Sequence, residues 1–313
     1  MNQLPEVSVV MSVYNGAAHL RETIDSILSQ QGVSLEFIIV NDGSTDQSPQ
    51  VLDEYAEQDP RVRIISQENQ GLTKALIAGC AAAKGDYIAR QDVGDISLPG
   101  RLRKQVAQIK QSSDIVLVSC GTHFVGPGRE YLYDVIPDGE SSQAALLTLD
   151  SSLIRGPSHH GSTLFSRAMY LKVGGYRQAF YFAQDLDLWI RMGEQGRYKI
   201  VPEVLYQASI AIGAISGLYR KEQEELTALI VESAGLRRNG LSDQVILSRV
   251  ASVRPTKTRH KSRLVQARAL YFIGSCLKRH NNPQASYYFR QALSLYPFHL
   301  KSALRLLTMW TRG

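Results

Sequence analysis

Short apolar runs alternate with segments of helical period through the first 120 residues. Val7–Val13 is a nearly continuous apolar run, and within residues 17–31 Leu20, Ile24, Ile27 and Leu28 recur on one helical face. Glu36–Val40 is a second β-rich run that passes straight into the turn-rich NDGSTD of Asn41–Asp46. Ser48–Gln58 carries Val51, Leu52 and Tyr55 at helical spacing, Arg61–Ile65 reads as a third strand, residues 71–84 as a helix, and Asp86–Ala89 as a fourth strand. Such alternation predicts an α/β fold, a mainly parallel central sheet flanked by crossover helices. It also sends the loops at Tyr14–Gly16, Asp42–Asp46 and Asp92–Asp95 to the carboxyl edge of the sheet, where open α/β sheets bind ligands.

The pattern weakens over residues 121–160, which read as irregular connecting structure with a strand near Tyr131–Val135. Order returns at 159–201, with HHGSTLFS, a glycine pair within Lys172–Arg177, and AQDLDLWIRMGEQG, whose Leu186, Trp189 and Ile190 fit a helix face. Residues 219–250 predict two helices, and residues 253–263 a basic, proline-bearing linker. Amphipathic segments follow at 264–279, 284–296 and 299–310. The expected organisation is an α/β domain over 1–220, a helical connector and linker over 221–263, and an all-α tail over 264–313.

Charge adds an asymmetry that the hydrophobic pattern does not show. The formal net charge is +6, yet residues 251–313 hold 12 Lys/Arg and no Asp or Glu, leaving 23 basic against 29 acidic residues before them. A basic tail bearing Tyr and Phe points to an anionic surface or to a solvated helical face, and an anionic membrane is the expected partner rather than nucleic acid. Cys80, Cys120 and Cys276 are scattered and odd in number, which suits reduced thiols in the cytoplasm. The N-terminus has no basic segment leading into a long apolar core, so no signal peptide is expected. The run Val204–Tyr219 carries small and polar residues and reads as buried strand and loop rather than a membrane span. No GxGxxG follows the first strand and no GxxxxGK[ST] occurs, which argues against a dinucleotide-binding dehydrogenase and a P-loop ATPase. A nucleotidyltransferase is disfavoured too, since a glycine-rich phosphate loop with a basic end is missing after the first strand.

The stretch GDYIARQDVGDISLPGR, Gly85 to Arg101, is the expected centre of the chemistry. A buried strand there would deliver Asp92 and Asp95, with Gly94 between them, to the sheet rim, where carboxylates suit a metal ion and a diphosphate.

Four motifs in series, VSVVMSVYNG, EFIIVNDGSTD, GDYIARQDVGD and AQDLDLWIR, resemble the family 2 inverting glycosyltransferases of GT-A fold, over about residues 5–220. The resemblance implies transfer of a sugar from a nucleotide-sugar donor, usually a UDP-sugar, to a hydroxyl of a saccharide or glycolipid acceptor, in cell-surface polysaccharide assembly. It implies that Ser12 and Tyr14 contact the base, and that Asp42 accepts a hydrogen bond from a base ring N–H or serves as a turn residue. Asp46 is the better helix cap. Asp95 would contact Mn²⁺ or Mg²⁺, Asp92 the ribose or a metal-bound water, and Arg90 the diphosphate or Asp92. Lys74 falls where a basic residue commonly lies near the diphosphate. Asp185 matches the general base, with Asp187 structural, and His160 a position on the acceptor side. The chain departs from the family pattern at Gly94 and Gln184, both commonly acidic. An inactive nucleotide-sugar-binding protein that recruits partners through its tail is the alternative. Residues 267–307 resemble a tetratricopeptide-type helical hairpin, with Ala269, Tyr271, Gly274, Ala285, Phe289, Ala292, Leu293 and Pro297 at its packing positions.

Overall fold

The computed structural model describes residues 4–210, 212, 219–255 and 259–310. Part of the loop expected within Val204–Tyr219, the middle of the basic linker (256–258) and residues 311–313 lie outside the described residues. The chain divides into two compact units that interleave in sequence. The first comprises Met1–Thr122, Val135–Ala208 and Glu225–Val253, and the second His123–Asp134, Ser209–Glu224 and Arg254–Gly313.

Unit 1 is built on a sheet whose first half follows directly from the apolar runs. Strands β1 (Val7–Val13), β2 (Leu35–Asp42), β3 (Val62–Gln67) and β4 (Tyr87–Asp92) are mutually parallel, in the order β3-β2-β1-β4. Helices α1 (Ala17–Leu28), α2 (Ser48–Gln58) and α3 (Leu72–Ala82) make the crossovers. β1 and β2 are covered on both faces, which is why they read as continuous apolar runs rather than as alternation. The chain steps from β1 to β2 to β3 on one side of β1 and then crosses back through α3 to lay β4 on the other side, so a switch point lies between β1 and β4. The register there pairs Ser12 with Asp92.

Beyond β4 the sheet turns antiparallel, through β8 (Leu164–Ser166), β6 (Ile115–Val125), β9 (Arg197–Ser209) and the two-residue β5 (Ile96–Ser97). The expectation of irregular structure from residue 121 is corrected here. β6 runs to Val125, and α5 (Gly139–Leu147) begins at Asp138, whose carboxylate accepts from the Ser141 N–H. β4 likewise extends three residues past its expected end, placing Arg90, Gln91 and Asp92 in the strand. Unit 1 is completed by α4 (Arg101–Ile109), α6 (Arg167–Lys172), α7 (Gln184–Gly193), most of α8 (Arg220–Arg238), and α9 (Gln244–Ser252).

Unit 2 has its own core. α10 (Arg259–Arg279) packs against α11 (Ala285–Leu295) through Ala267, Leu270, Ile273 and Leu277 facing Ala285, Phe289 and Ala292. Leu132 of β7 (Tyr131–Val135), which pairs with β6, joins this core. The Tyr288 hydroxyl donates to Glu130 at 2.6 Å. The last helix, α12 (Leu300–Trp310), seats Ser302 and half-buried Leu306 against the pair.

Candidate active site

The end of β4 and the turn after it are held from several sides. Gln91 is buried, and its amide nitrogen donates to the carbonyls of Asp92 (3.2 Å) and Asp95 (3.0 Å). Thr23 of α1 donates to the same Asp95 carbonyl at 3.0 Å and accepts from the Gly94 N–H at 2.9 Å. Gly94 has φ +90°, in the left-handed half of the map. The glycine at this commonly acidic position is therefore set by the turn. A Cβ there would meet only His19, 3.9 Å away, so the cost of a side chain is conformational rather than steric. Gly94→Asp is expected to lower the unfolding free energy by about 1–2 kcal/mol, read from chemical denaturation; an unchanged midpoint would contradict this account of the turn.

Arg90 is fully buried, and its guanidinium donates to the Val10 carbonyl, to Asp92 Oδ1 at 2.8 Å and to His160 Nε2 at 3.3 Å. Taking Asp92 out of bulk water opposes its ionisation, but the Arg90 guanidinium, with Arg101 beyond it, holds the carboxyl below its ordinary range. His160 is also buried, with Tyr176 Oη 2.7 Å from the same Nε2 and its ring edge-on to Trp189. Burial first, then Arg90, pushes His160 down to about 3, so it is a neutral acceptor that orients Arg90.

The opposite wall is Tyr206 of β9, paired in register with Ser97 just past the turn. Its hydroxyl donates to Asp95 Oδ2 at 2.9 Å and accepts from the Asp92 N–H at 3.2 Å. Burial, with Asp95 and Asp92 alongside, raises its pKa well above normal, so it remains a phenol donor. Gly161 permits this placement, because a Cβ there would collide with the Tyr206 hydroxyl. Beneath the ring lies Arg101, also fully buried, with its Cζ 4.9 Å from the centroid. Arg101 donates to Ser97 Oγ (2.6 Å), Gln91 Oε1 (3.1 Å), Gln105 Oε1 (3.1 Å) and the Arg90 carbonyl (2.7 Å).

His159, not singled out from the sequence, is the histidine that faces the carboxylates. Its ring stacks on Tyr206, and its Nδ1 takes the Gly161 N–H at 3.1 Å while standing 3.6 Å from Asp95 Oδ2 and 3.9 Å from Asp92 Oδ2. Asp92, Asp95 and His159 each bring a ligand atom within 4.8 Å of the others. Since Nδ1 acts as an acceptor toward the Gly161 N–H, this places acceptor atoms face to face, an arrangement that a shared cation stabilises. Two hard oxygens and one imidazole nitrogen fit a divalent ion.

Asp185 lies in the first turn of α7, half-buried, its Oδ1 accepting from the Leu186 N–H at 2.9 Å. The residue entering the helix is Ala183, a non-glycine at φ 55°, a conformation that costs about 1–2 kcal/mol. Burial raises the Asp185 carboxyl above its ordinary value; the Leu186 N–H opposes this and the charge of Asp92 adds to it. Asp185 is thus within electrostatic reach of the cluster. Neighbouring Asp187 is structural: fully buried, it binds Arg191 at 2.6 Å, and Arg191 in turn donates to the carbonyls of Val173 and Gly175. Gln184 is buried as well.

Of the remaining candidates, Ser12 is half-buried beside Asp92, and Tyr14 is exposed just past β1. Asp42 ends β2, buried, and accepts from Gln67 Nε2 (2.7 Å), Gln70 N (2.9 Å) and Gly71 N (2.8 Å), so it organises the loop leading into α3. Lys74 sits in the first turn of α3, half-buried. Asp46 accepts from Ala17 N at 3.0 Å and Ser48 N at 2.9 Å, tying the starts of α1 and α2 together.

The sequence matches the family described as "Glycosyl transferase family 2" over residues 8–170. It is 33% identical over 216 residues to the putative glycosyltransferase EpsE of Bacillus subtilis (strain 168), covering 66% of this chain and 74% of that one. The fold is similar to that of S. aureus TarS 1–349 in complex with UDP-GlcNAc (TM-score 0.56, 15% identity, 93% of this chain and 89% of that one). It is equally similar to the mannosyltransferase PcManGT from Pyrobaculum calidifontis, in complex with GDP-Man and Mn²⁺ (TM-score 0.56, 19% identity, 97% and 84%).

Proposed function

Because the chain belongs to glycosyl transferase family 2, we propose that it is a metal-dependent inverting hexosyltransferase that moves a sugar from a UDP-sugar to an acceptor hydroxyl, in the cytoplasmic assembly of a cell-surface polysaccharide. The observation that carries this reading is the Asp92, Asp95 and His159 cluster at the end of β4, with Asp185 at the head of α7, its carboxyl raised by burial and by the charge of Asp92. A raised carboxyl is a better base at neutral pH than an ordinary one. Asp185 takes the proton from the acceptor hydroxyl as that oxygen attacks the face opposite the leaving group, so one carboxylate suffices.

Asp92, Asp95 and His159 would hold Mn²⁺ or Mg²⁺, and the imidazole favours Mn²⁺. When bound, the cation neutralises the charge that collects on the departing diphosphate. Tyr206 fixes the Asp95 carboxylate, and Arg90, with its donors engaged inside the protein, fixes Asp92 and keeps it ionised. Ser12 and Tyr14 contact the base, and Lys74 the diphosphate. A carboxylate has about four lone-pair sites; Asp42 uses three on the end of β3 and the loop into α3, and the fourth is read as accepting the uracil N–H. The α10–α11 hairpin is read as a tetratricopeptide-type unit.

Thermal shifts with UDP, GDP, dTDP and their sugars, with and without Mn²⁺, test the donor. The expected result is a larger shift with UDP than with GDP, and only with the metal present. A GDP preference sinks the Asp42–uracil assignment. Binding with no release of nucleoside diphosphate in the presence of any acceptor favours the inactive, partner-recruiting alternative.

A further inference from the structure

Helix α12 leaves a second face of unit 2 uncovered. Its inner side seats buried Ser302 and half-buried Leu306, yet Leu300, Leu304 and Leu307 are 79%, 63% and 66% exposed, and Phe298 just before them is 78% exposed. At about 100° per residue, Leu304 and Leu307 lie within about 40° of Leu300 around the axis, so the three form one outward row. Exposed Lys301 and Arg305 follow each other along the flank of that row, about 100–140° from Leu300. Arg305 is steadied there by the Tyr271 hydroxyl, which it holds below its ordinary pKa. Lys278 of α10 adds a third cation, its Nζ 2.9 Å from Thr308 on the same side.

We propose that this face is a membrane-binding surface that lies in the headgroup region of an anionic bilayer, with the leucine row and Phe298 in the acyl boundary and Lys278, Lys301 and Arg305 on the lipid phosphates. An apolar row edged by cations is the pattern of an interfacial helix. Charge complementarity selects this occupant over a second copy of the chain. Residues 251–313 hold 12 Lys/Arg and no carboxylate, so two copies of the face would bring like charges together. No described helix is long and apolar enough to cross a membrane, so the contact is interfacial. The inference is independent of the donor and acceptor assigned to unit 1.

Sedimentation of the full chain with phosphatidylcholine vesicles, with and without phosphatidylserine, tests it. Binding is expected to require phosphatidylserine and to weaken as salt rises. Leu304→Ser with Leu307→Ser is expected to weaken it about 100-fold, and Lys301→Gln with Arg305→Gln about 25-fold at about fivefold per cation. Circular dichroism should match the wild type, because these side chains face solvent. The proposal is overturned if phosphatidylserine makes no difference, or if the leucine variant binds as well as wild type, which would leave only diffuse charge attraction. It is equally overturned if the wild type is a dimer that the leucine variant converts to monomer, since a second copy would then cover the face.

Discussion

Replacing Asp185 with asparagine is expected to lower kcat by about 10²–10⁴ while leaving donor affinity nearly unchanged. The amide preserves the shape of the carboxylate and its contact with the Leu186 N–H, but it cannot take the proton. The same residue sets a pH dependence. Burial, with Asp92 nearby, raises the Asp185 pKa, so activity should fall as pH drops through a value above that of an ordinary aspartate. Stability moves the other way. A carboxyl whose folded pKa is raised favours folding at low pH, and that contribution is lost as pH rises through the folded value. At neutral pH the ionised Asp185 is therefore a burden on the fold, and Asp185→Asn should unfold at the same temperature or slightly higher. Single-turnover rates, a UDP titration and a melting curve on one preparation separate the cases. A variant that turns over normally would remove Asp185 from the chemistry, and one that melts early would make its role structural.

Much of the scaffold could be read from the chain because its strands are covered on both faces. Val7–Val13 and Leu35–Asp42 are apolar runs for that reason, and the loops at their carboxyl ends follow from parallel topology. Of the candidate site, the placement of the DVGD turn after β4 and of AQD at the head of α7 was legible, because both are local in sequence. The rest depends on contacts between distant segments. His159 and His160 are adjacent and alike in sequence; the short 3-10 turn at 160–162 sends one toward the carboxylates and the other toward Arg90 and Tyr176. Tyr206 sits in a stretch that reads simply as buried strand, and its role appears only when β5 pairs with β9. Arg101 looks like an ordinary first residue of an exposed helix, yet it is wholly buried among neutral acceptors. The interleaved units were not legible either: residues 225–253, expected in a connector, group with the sheet, and His123–Asp134 group with the tail. Nor do Glu130 and Tyr288, or Leu132 and His280, carry any signal that they meet across some 150 positions.

Asp95→Asn is expected to weaken Mn²⁺ binding, and with it Mn²⁺-dependent UDP binding, by about 100-fold or more. A change one shell removed from a metal typically costs about 10–100-fold, so loss of a charged ligand belongs at or beyond the upper end. Asparagine is the informative substitution because its carbonyl can still accept from Tyr206, whereas Asp95→Ala strips the buried hydroxyl of its acceptor and adds about 1–3 kcal/mol of instability. Tyr206→Phe reverses the experiment. It leaves the candidate ligand atoms of Asp92, Asp95 and His159 in place and removes the bond that orients Asp95 together with the acceptor of the Asp92 N–H, so its expected loss is about 10–100-fold. Calorimetric titration of MnCl2 into the three proteins, without sugar or acceptor, gives an order: wild type tightest, Tyr206→Phe intermediate, Asp95→Asn weakest. If Asp95→Asn binds Mn²⁺ as tightly as wild type, the cation is not held by this cluster. If Tyr206→Phe matches wild type while Asp95→Asn fails, the turn itself, through Thr23, Gln91 and the left-handed Gly94, is enough to aim the carboxylate.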